Sequence, residues 1–94
     1  MNIDNRLPLK TYVMIGQQKY RISTVQLPVP QISLCGTYPY ETMIFRVRHN
    51  GELDYDEVYC SRYPTAERAI SGHIHLLDMA KHGNLILGEA GDRV

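Results

Sequence analysis

This chain of 94 residues has no tryptophan, one phenylalanine and two cysteines, and its formal net charge is zero. Two cysteines are too few for a disulfide-stapled secreted domain, and no Cys-x-x-Cys spacing occurs. We expect Cys35 and Cys60 to be reduced and partly buried. The neutral charge excludes generic binding to nucleic acid or to a membrane surface, because such binding needs an excess of basic residues.

The chain also lacks a long apolar run. No stretch approaches the ~18–20 apolar residues of a membrane-spanning helix. The first ten residues contain Asp4 and Pro8 and no apolar core, which predicts that they are not a signal peptide. These features predict a protein without a membrane partner.

The length predicts one domain over residues 1–94, with flexible ends at 1–10 and 89–94. The zero charge is a sum of unequal halves, since residues 1–50 carry a net charge of about +4 and residues 51–94 of about −4. Such a chain can pair its halves internally or bind head to tail to a copy of itself.

Two β-hairpins are predicted. Residues 11–15 and 19–25 flank a short break with Gly16, and the first run is apolar on both faces, which predicts an inner strand or one covered by a partner. In the second run Tyr20, Ile22 and Thr24 form the buried face. Residues 26–40 contain three prolines and are predicted to be a connection rather than a central strand, lying across the core edge or docking on a second subunit.

The second hairpin has the stronger turn signal, Asn50-Gly51. A three-residue loop with a left-handed Gly51 sets Val47 opposite Leu53 and sorts charged and apolar side chains onto separate faces. This register pairs Arg46 with Asp54, Arg48 with Glu52 and Phe45 with Tyr55. This sorting of charged and apolar side chains breaks down at Asp56-Glu57, where a bulge would place Val58 opposite Met43.

One helix is predicted over residues 65–82, with Thr65 as N-cap and Gly83 as C-cap. Gly72 lies inside the apolar stripe, which indicates close approach to the sheet. Residues 84–87 could add a short edge strand. The fold class is therefore α+β, with two β-hairpins forming a mainly antiparallel sheet that is packed by one C-terminal helix.

No catalytic motif and no metal site is predicted. His75 and His82 lie two helical turns apart, too far for one ion. Asp54, Asp56 and Glu57 could hold a divalent cation, but cross-strand ion pairs explain them more simply.

Seven of the eight aromatic residues are tyrosines. Tyrosine is enriched at interfaces and ligand sites, and arginine beside it suits a phosphorylated or nucleotide-like ligand. The predicted ligand- or partner-binding residues are Tyr40, Arg46, Arg48, Tyr59, Arg62, Tyr63 and His73, with Tyr38 beside them. No catalytic residue and no cofactor is assigned.

Residues 40–77 carry a pattern that resembles small proteins encoded by tailed bacteriophages and prophages. The pattern is Tyr40-Glu41-Thr42-Met43-Ile44-Phe45, an acidic hairpin, Arg62-Tyr63-Pro64-Thr65, and the helix segment from Ala69 to Gly72-His73. The resemblance implies a phage accessory protein acting in the cytoplasm of the bacterial host.

We therefore expect a non-enzymatic protein that acts by binding. Its partners would be a second copy of itself and either a host or anti-phage defence protein or a small signalling nucleotide. One alternative is an assembly or structural factor of the virion. A second alternative is a metal-dependent phosphodiesterase that uses Asp54, Asp56 and a histidine.

Overall fold

The computed structural model describes residues 6–34, 36–85 and 87. Four strands form one antiparallel sheet in the order β1-β2-β3-β4. One helix, α1, packs on one face of this sheet. The elements are β1 (Leu9–Ile15), β2 (Gln18–Ser33), β3 (Gly36–Val47), β4 (Leu53–Tyr63) and α1 (Ala66–Lys81). The predicted α+β fold is confirmed.

The first hairpin forms where the sequence predicts it. Ile15 pairs with Gln18 across a two-residue turn, in which Gly16 has the positive φ of 63° that such a turn requires. Tyr20, Ile22 and Thr24 are buried as predicted. The prediction that the first strand could be an inner strand is wrong, because β1 lies at the edge of the sheet.

Residues 26–33 and 36–40 belong to strands rather than to a connection, and Cys35 lies outside the described residues. β2 and β3 continue outward as a two-stranded arm, with Gln31 opposite Tyr38 and Ser33 opposite Gly36. The ladder is interrupted between Gln26 and Gln31, where Pro28 and Pro30 lie. Proline has no N–H to donate, so it is tolerated where two strands make no hydrogen bond with each other. The two prolines are therefore compatible with a strand that continues into the arm.

The second hairpin has the predicted register. Val47 lies opposite Leu53, the Arg48 N–H donates to the Glu52 carbonyl at 2.8 Å, and Gly51 has a φ of 88°. The predicted bulge is present but larger than expected. Ile44 pairs with Tyr59 and Met43 with Cys60, so the prediction that Val58 lies opposite Met43 is wrong.

Because of the bulge, Val58 lies in the core. Val58 is buried with Ile22, Ile44 and Leu76. Residues 55–58 all lie opposite Phe45, whose ring meets that of Tyr55 edge to face at 5.6 Å between centroids. The predicted register sets Phe45 opposite Tyr55; their rings are in contact, but the ladder does not pair the two residues. The extra residues of the bulge place the apolar Val58 in the core beneath the helix.

The helix begins and ends as predicted. The hydroxyl of Thr65 accepts from the Arg68 N–H at 3.2 Å, and Gly83 follows the helix with a φ of 70°. Gly72 lies against the ring of Tyr63, where an added Cβ would stand 2.5 Å from the hydroxyl oxygen. The absence of a side chain at this position lets α1 pass close to β4.

The chain after α1 does not form the predicted edge strand at residues 84, 85 and 87, and Ile86 lies outside the described residues. Leu85 is instead buried in the core and Leu87 packs against it. Leu9 and Lys10, at the end of the segment predicted to be flexible, pair with β2 as the first residues of β1. Residues 1–5 and 89–94 lie outside the described residues.

The sheet has two different faces. Tyr20, Ile22, Thr24 and Ile44 point toward α1, and the helix covers them. The alternate positions point away from the helix and form what we call the open face, which includes Tyr12, Arg21, Phe45 and Arg62. Within the described chain, no helix has the length and apolar content of a membrane-spanning segment.

Candidate functional site

The seven predicted site residues lie in three separate places. Arg62 lies opposite Glu41 near one end of the sheet, whereas Arg46 lies opposite Asp54 near the other end. Five residues along β3 separate the two positions, which is about 17 Å in a strand. The prediction of one tyrosine and arginine surface is therefore wrong, and the two groups are described separately.

A pocket of about 780 Å³ lies between the arm and the N-terminal half of α1. We call it the arm–helix pocket. Two of the predicted residues, Arg62 and Tyr63, line it. Its other lining residues are Gly36, Thr37, Tyr38, Pro64, Glu67, Arg68 and Ser71. Its volume is in the range of small-molecule sites.

The two arginines of this pocket have different surroundings. Arg62 is held by Glu41, with its Nε 3.0 Å from a carboxylate oxygen, so its position is fixed on the sheet. The exposed side chain of Arg68 makes no hydrogen bond or ion pair with any described residue. The carboxylate of Glu67 contacts Arg6 at 3.3 Å. The pocket is therefore lined by one arginine that is already paired with a carboxylate and by one whose side chain has no partner among the described residues.

The tyrosines give the pocket one aromatic wall. Tyr63 is half-buried between the pocket and Gly72, and Tyr40, opposite it on β3, is buried against Ala66 and Ala69. Tyr63 packs against the cluster that contains Tyr40, but Tyr40 itself does not line the pocket. Tyr59, the remaining predicted tyrosine, packs against the core; burial raises the pKa of its hydroxyl, and the neighbouring Tyr63 raises it further.

A second concavity surrounds the Asn50-Gly51 turn. It has about 790 Å³ and includes Lys19, Arg46 and Arg48. Arg48 lies 3.9 Å from Asp54, which differs from the predicted pairing with Glu52. The amide of Asn50 donates to the Glu52 carboxylate instead, at 2.8 Å. This cleft therefore combines three basic residues with the carboxylate of Asp54, which Arg48 approaches.

His73 lies apart from both sites. Its side chain is in the core at 2% exposure, between α1 and the sheet. Nδ1 is 2.8 Å from the Thr24 hydroxyl and Nε2 is 3.0 Å from the Thr11 hydroxyl. Burial lowers the pKa of the imidazole below its ordinary value. The geometry gives His73 a structural contact with the sheet rather than access to either pocket.

Cys60 is a free thiol on the open face, and it is exposed rather than partly buried as expected. Its Sγ lies 3.8 Å from the carboxylate of Glu41. Burial of the sulfur atom and the negative charge of Glu41 raise the pKa of this thiol. A thiol of raised pKa is a weak nucleophile at neutral pH.

The acidic residues of the second hairpin do not gather around a common point with a histidine. Asp54 accepts from the Asp56 N–H at 3.1 Å and faces Arg48. Across residues 6–34, 36–85 and 87, no three His, Cys, Asp or Glu side chains are grouped closely enough to share a metal ion. The phosphodiesterase alternative therefore has no assembled ligand set in this part of the chain.

Arg68 and Ser71 are two polar pocket residues that sequence reasoning missed. They are three residues apart on the exposed side of α1, and both line the arm–helix pocket. Helical periodicity alone identifies them as solvent-facing. They become pocket residues because the arm, which the sequence did not predict, lies opposite them.

The chain matches no protein-family model, no curated protein and no solved structure. The likeness to small phage proteins accordingly stays a prediction, carried by the residues that share its pattern. The physical features that bear on function are the arm–helix pocket and the open face of the sheet.

Proposed function

We propose that this chain is a small bacteriophage or prophage accessory protein that acts by binding in the bacterial cytoplasm. Its arm–helix pocket would capture an anionic small molecule with a planar ring, such as a signalling nucleotide. The observation that carries this proposal is the unpaired guanidinium of Arg68 in the same pocket as Arg62 and Tyr63. The resemblance of residues 40–77 to phage proteins supplies the biological setting.

The chemistry of the pocket suits the two parts of a nucleotide. Arginine binds phosphate through paired, charge-assisted hydrogen bonds, and the Arg68 side chain has no competing partner among the described residues. The rings of Tyr38 and Tyr63 lie in the same pocket and offer flat surfaces on which a base can stack. Ser71 adds a hydroxyl for a polar group of the ligand.

Isothermal titration calorimetry with cyclic dinucleotides, ADP-ribose and AMP tests the proposal. At least one of these ligands should bind to the protein, and Arg68→Gln should weaken that binding about tenfold or more, because a charge-assisted hydrogen bond is lost. Thermal stability should not change, since the Arg68 side chain has no described partner to lose.

Lys81→Gln is the matched control. It also removes one exposed cation from α1, but in the last turn, away from the pocket. Its ligand affinity should equal that of the wild type. If none of the three ligand classes binds, or if Lys81→Gln and Arg68→Gln weaken binding equally, the pocket is not the site.

A specific observation favours a second function, assembly of the virion. Val29, Ile32 and Leu34 lie on the arm with their apolar side chains largely exposed. Exposed apolar residues on a projecting hairpin are typical of elements that bind to another protein chain. If this function holds, the protein should be found in purified virions, and Ile32→Ser with Leu34→Ser should remove it from them.

A further inference from the structure

One row of side chains crosses all four strands on the open face. Tyr12 on β1 lies opposite Arg21 on β2, which lies opposite Phe45 on β3. The ring of Tyr55 on β4 continues the row by its edge-to-face contact with Phe45. An arginine therefore stands between aromatic side chains at the centre of a sheet face that α1 does not cover.

Arg21 has a hydrogen-bond donor without an acceptor among the described residues. Its Nε is buried, and this atom makes no hydrogen bond in the described part of the chain. Among the buried side-chain nitrogen and oxygen atoms of the described residues, Nε of Arg21 is the one without a partner. A buried donor without an acceptor is costly, and native structures usually satisfy it with a protein group or an ordered water.

The charges around Arg21 are of one sign. Lys10 and Lys19 occupy open-face positions on the same two strands, and Lys19 lies over the Tyr12 ring at 5.0 Å. The acid on this face of β3, Glu41, is already paired with Arg62. The half of the open face that contains β1 and β2 is thus cationic, although the whole chain is neutral.

Apolar surface borders these charges. Tyr12, Met14 and Tyr55 are 52%, 58% and 74% exposed. All three are large side chains of the kind that dominates the energetics of protein interfaces. The open face therefore combines an arginine whose buried Nε lacks an acceptor among the described residues with apolar groups on either side.

We propose that the open face, centred on Arg21, is a docking surface for an acidic protein segment that contains apolar residues. A carboxylate of the segment would accept from the Arg21 guanidinium, while its apolar side chains cover Tyr12, Met14 and Tyr55. This inference is independent of the arm–helix pocket, because Arg21 does not line it.

Two other occupants fit less well. Single-stranded nucleic acid needs open ring faces, but Phe45 is 9% exposed and Lys19 already lies over Tyr12. A second copy would bring the same three cations toward this face, and like charges in an interface are repulsive. An acidic partner needs no open ring faces, and its charge is attracted to this face rather than repelled.

Fluorescence anisotropy with a short labelled peptide that alternates Glu and Leu tests the proposal. The peptide should bind to the protein, and a matched peptide that alternates Gln and Leu should bind more weakly. Arg21→Gln should lower the affinity for the acidic peptide about tenfold or more. Chemical-shift changes in the backbone amides should centre on Tyr12, Arg21 and Phe45.

Lys81→Gln again serves as the matched control, since it removes one exposed cation from α1 on the other side of the sheet. It should bind the acidic peptide with unchanged affinity. Arg21→Lys, which keeps the charge but not the planar fork, should show an intermediate loss.

Three results would overturn the proposal. One is an Arg21→Gln protein that binds the acidic peptide as well as the wild type. Another is tighter binding of oligothymidine than of the acidic peptide with the same dependence on Arg21, which would assign the face to nucleic acid. The third is concentration-dependent self-association that Arg21→Gln abolishes, which would assign it to a second copy.

Discussion

The imidazole of His73 on α1 is hydrogen-bonded to the hydroxyl of Thr24 on β2, with Nδ1 and Oγ1 2.8 Å apart. The Thr24 hydroxyl also lies 2.6 Å from that of Thr42 on β3. Both threonines are 0% exposed. The helix is thus joined to the two central strands by a buried polar chain as well as by apolar contacts. A network of this kind specifies how the helix sits on the sheet, since its members must all be satisfied together.

Protonation of His73 should destabilise the protein. Burial lowers the pKa of His73 below its ordinary value of 6.5, so the unfolded chain takes up a proton that the folded chain does not. The free energy of unfolding should therefore fall as the pH drops below 6.5 and level off below the folded-state pKa.

Urea denaturation at about pH 7.5 and about pH 5.5, on either side of the ordinary histidine pKa, measures this effect. His73→Gln keeps a donor and an acceptor but does not titrate, and its loss of stability between the two pH values should be smaller. An equal loss in both proteins would contradict the assignment. A proton NMR titration of the His73 ring gives the pKa directly.

Thr24→Val should destabilise the fold by about 1–3 kcal/mol, because it leaves a ring nitrogen of His73 and the hydroxyl of Thr42 buried without this partner. Valine has nearly the same shape as threonine, so little packing is lost. Thr37→Val, at an exposed position on the arm, is the matched control and should change stability by less than about 0.5 kcal/mol. Equal effects of the two substitutions would show that the polar chain does not stabilise the fold.

Gly72→Ala should destabilise the protein although alanine is the better helix former. The added Cβ would stand 2.5 Å from the Tyr63 hydroxyl oxygen and 2.7 Å from Cζ, so the ring has to move. We expect a loss of about 1–3 kcal/mol in the wild-type background. In a Tyr63→Ala background the same change should instead stabilise by about 0.5–1 kcal/mol, through helix propensity. Urea denaturation of the four proteins checks whether the sign reverses.

Gly51→Ala should weaken the second hairpin. Gly51 has a φ of 88°, a region that costs an L-residue about 1–2 kcal/mol. Because no atom lies within 4 Å of the added Cβ, strain in the backbone is the expected cause rather than a clash. An unfolding free energy equal to that of the wild type would show that the turn relaxes into another conformation.

The sequence predicted those features that depend on neighbours along the chain. The register of Val47 with Leu53 follows from the turn residues and from sorting charges onto one face. The cap at Thr65 follows from the side chain that satisfies the first turn of the helix. The close approach at Gly72 follows from an unfavourable residue in a helical stripe. Each of these interactions is local.

The site was predicted less well, because its members are distant in sequence. The sequence predicted one surface for Arg46, Arg48 and Arg62, but the length of β3 separates the first two, at and just beyond its end, from the third on β4. The prolines at 28 and 30 predicted a connection, although they lie where the ladder is interrupted within β2. Arg68 became a candidate only once the arm was seen opposite α1.

Local patterning determined the α+β class, the second hairpin and the helix, whereas the scarcity of cysteine and of net charge excluded a disulfide-stapled domain and a generally cationic one. The tertiary structure alone decided that β1 is an edge strand, that β2 and β3 project as an arm, and that Arg21 stands unsatisfied on the open face. The physical reason is that turns and caps are set by adjacent residues. Burial, charge balance on a face and the walls of a pocket depend instead on which strands and helices lie side by side.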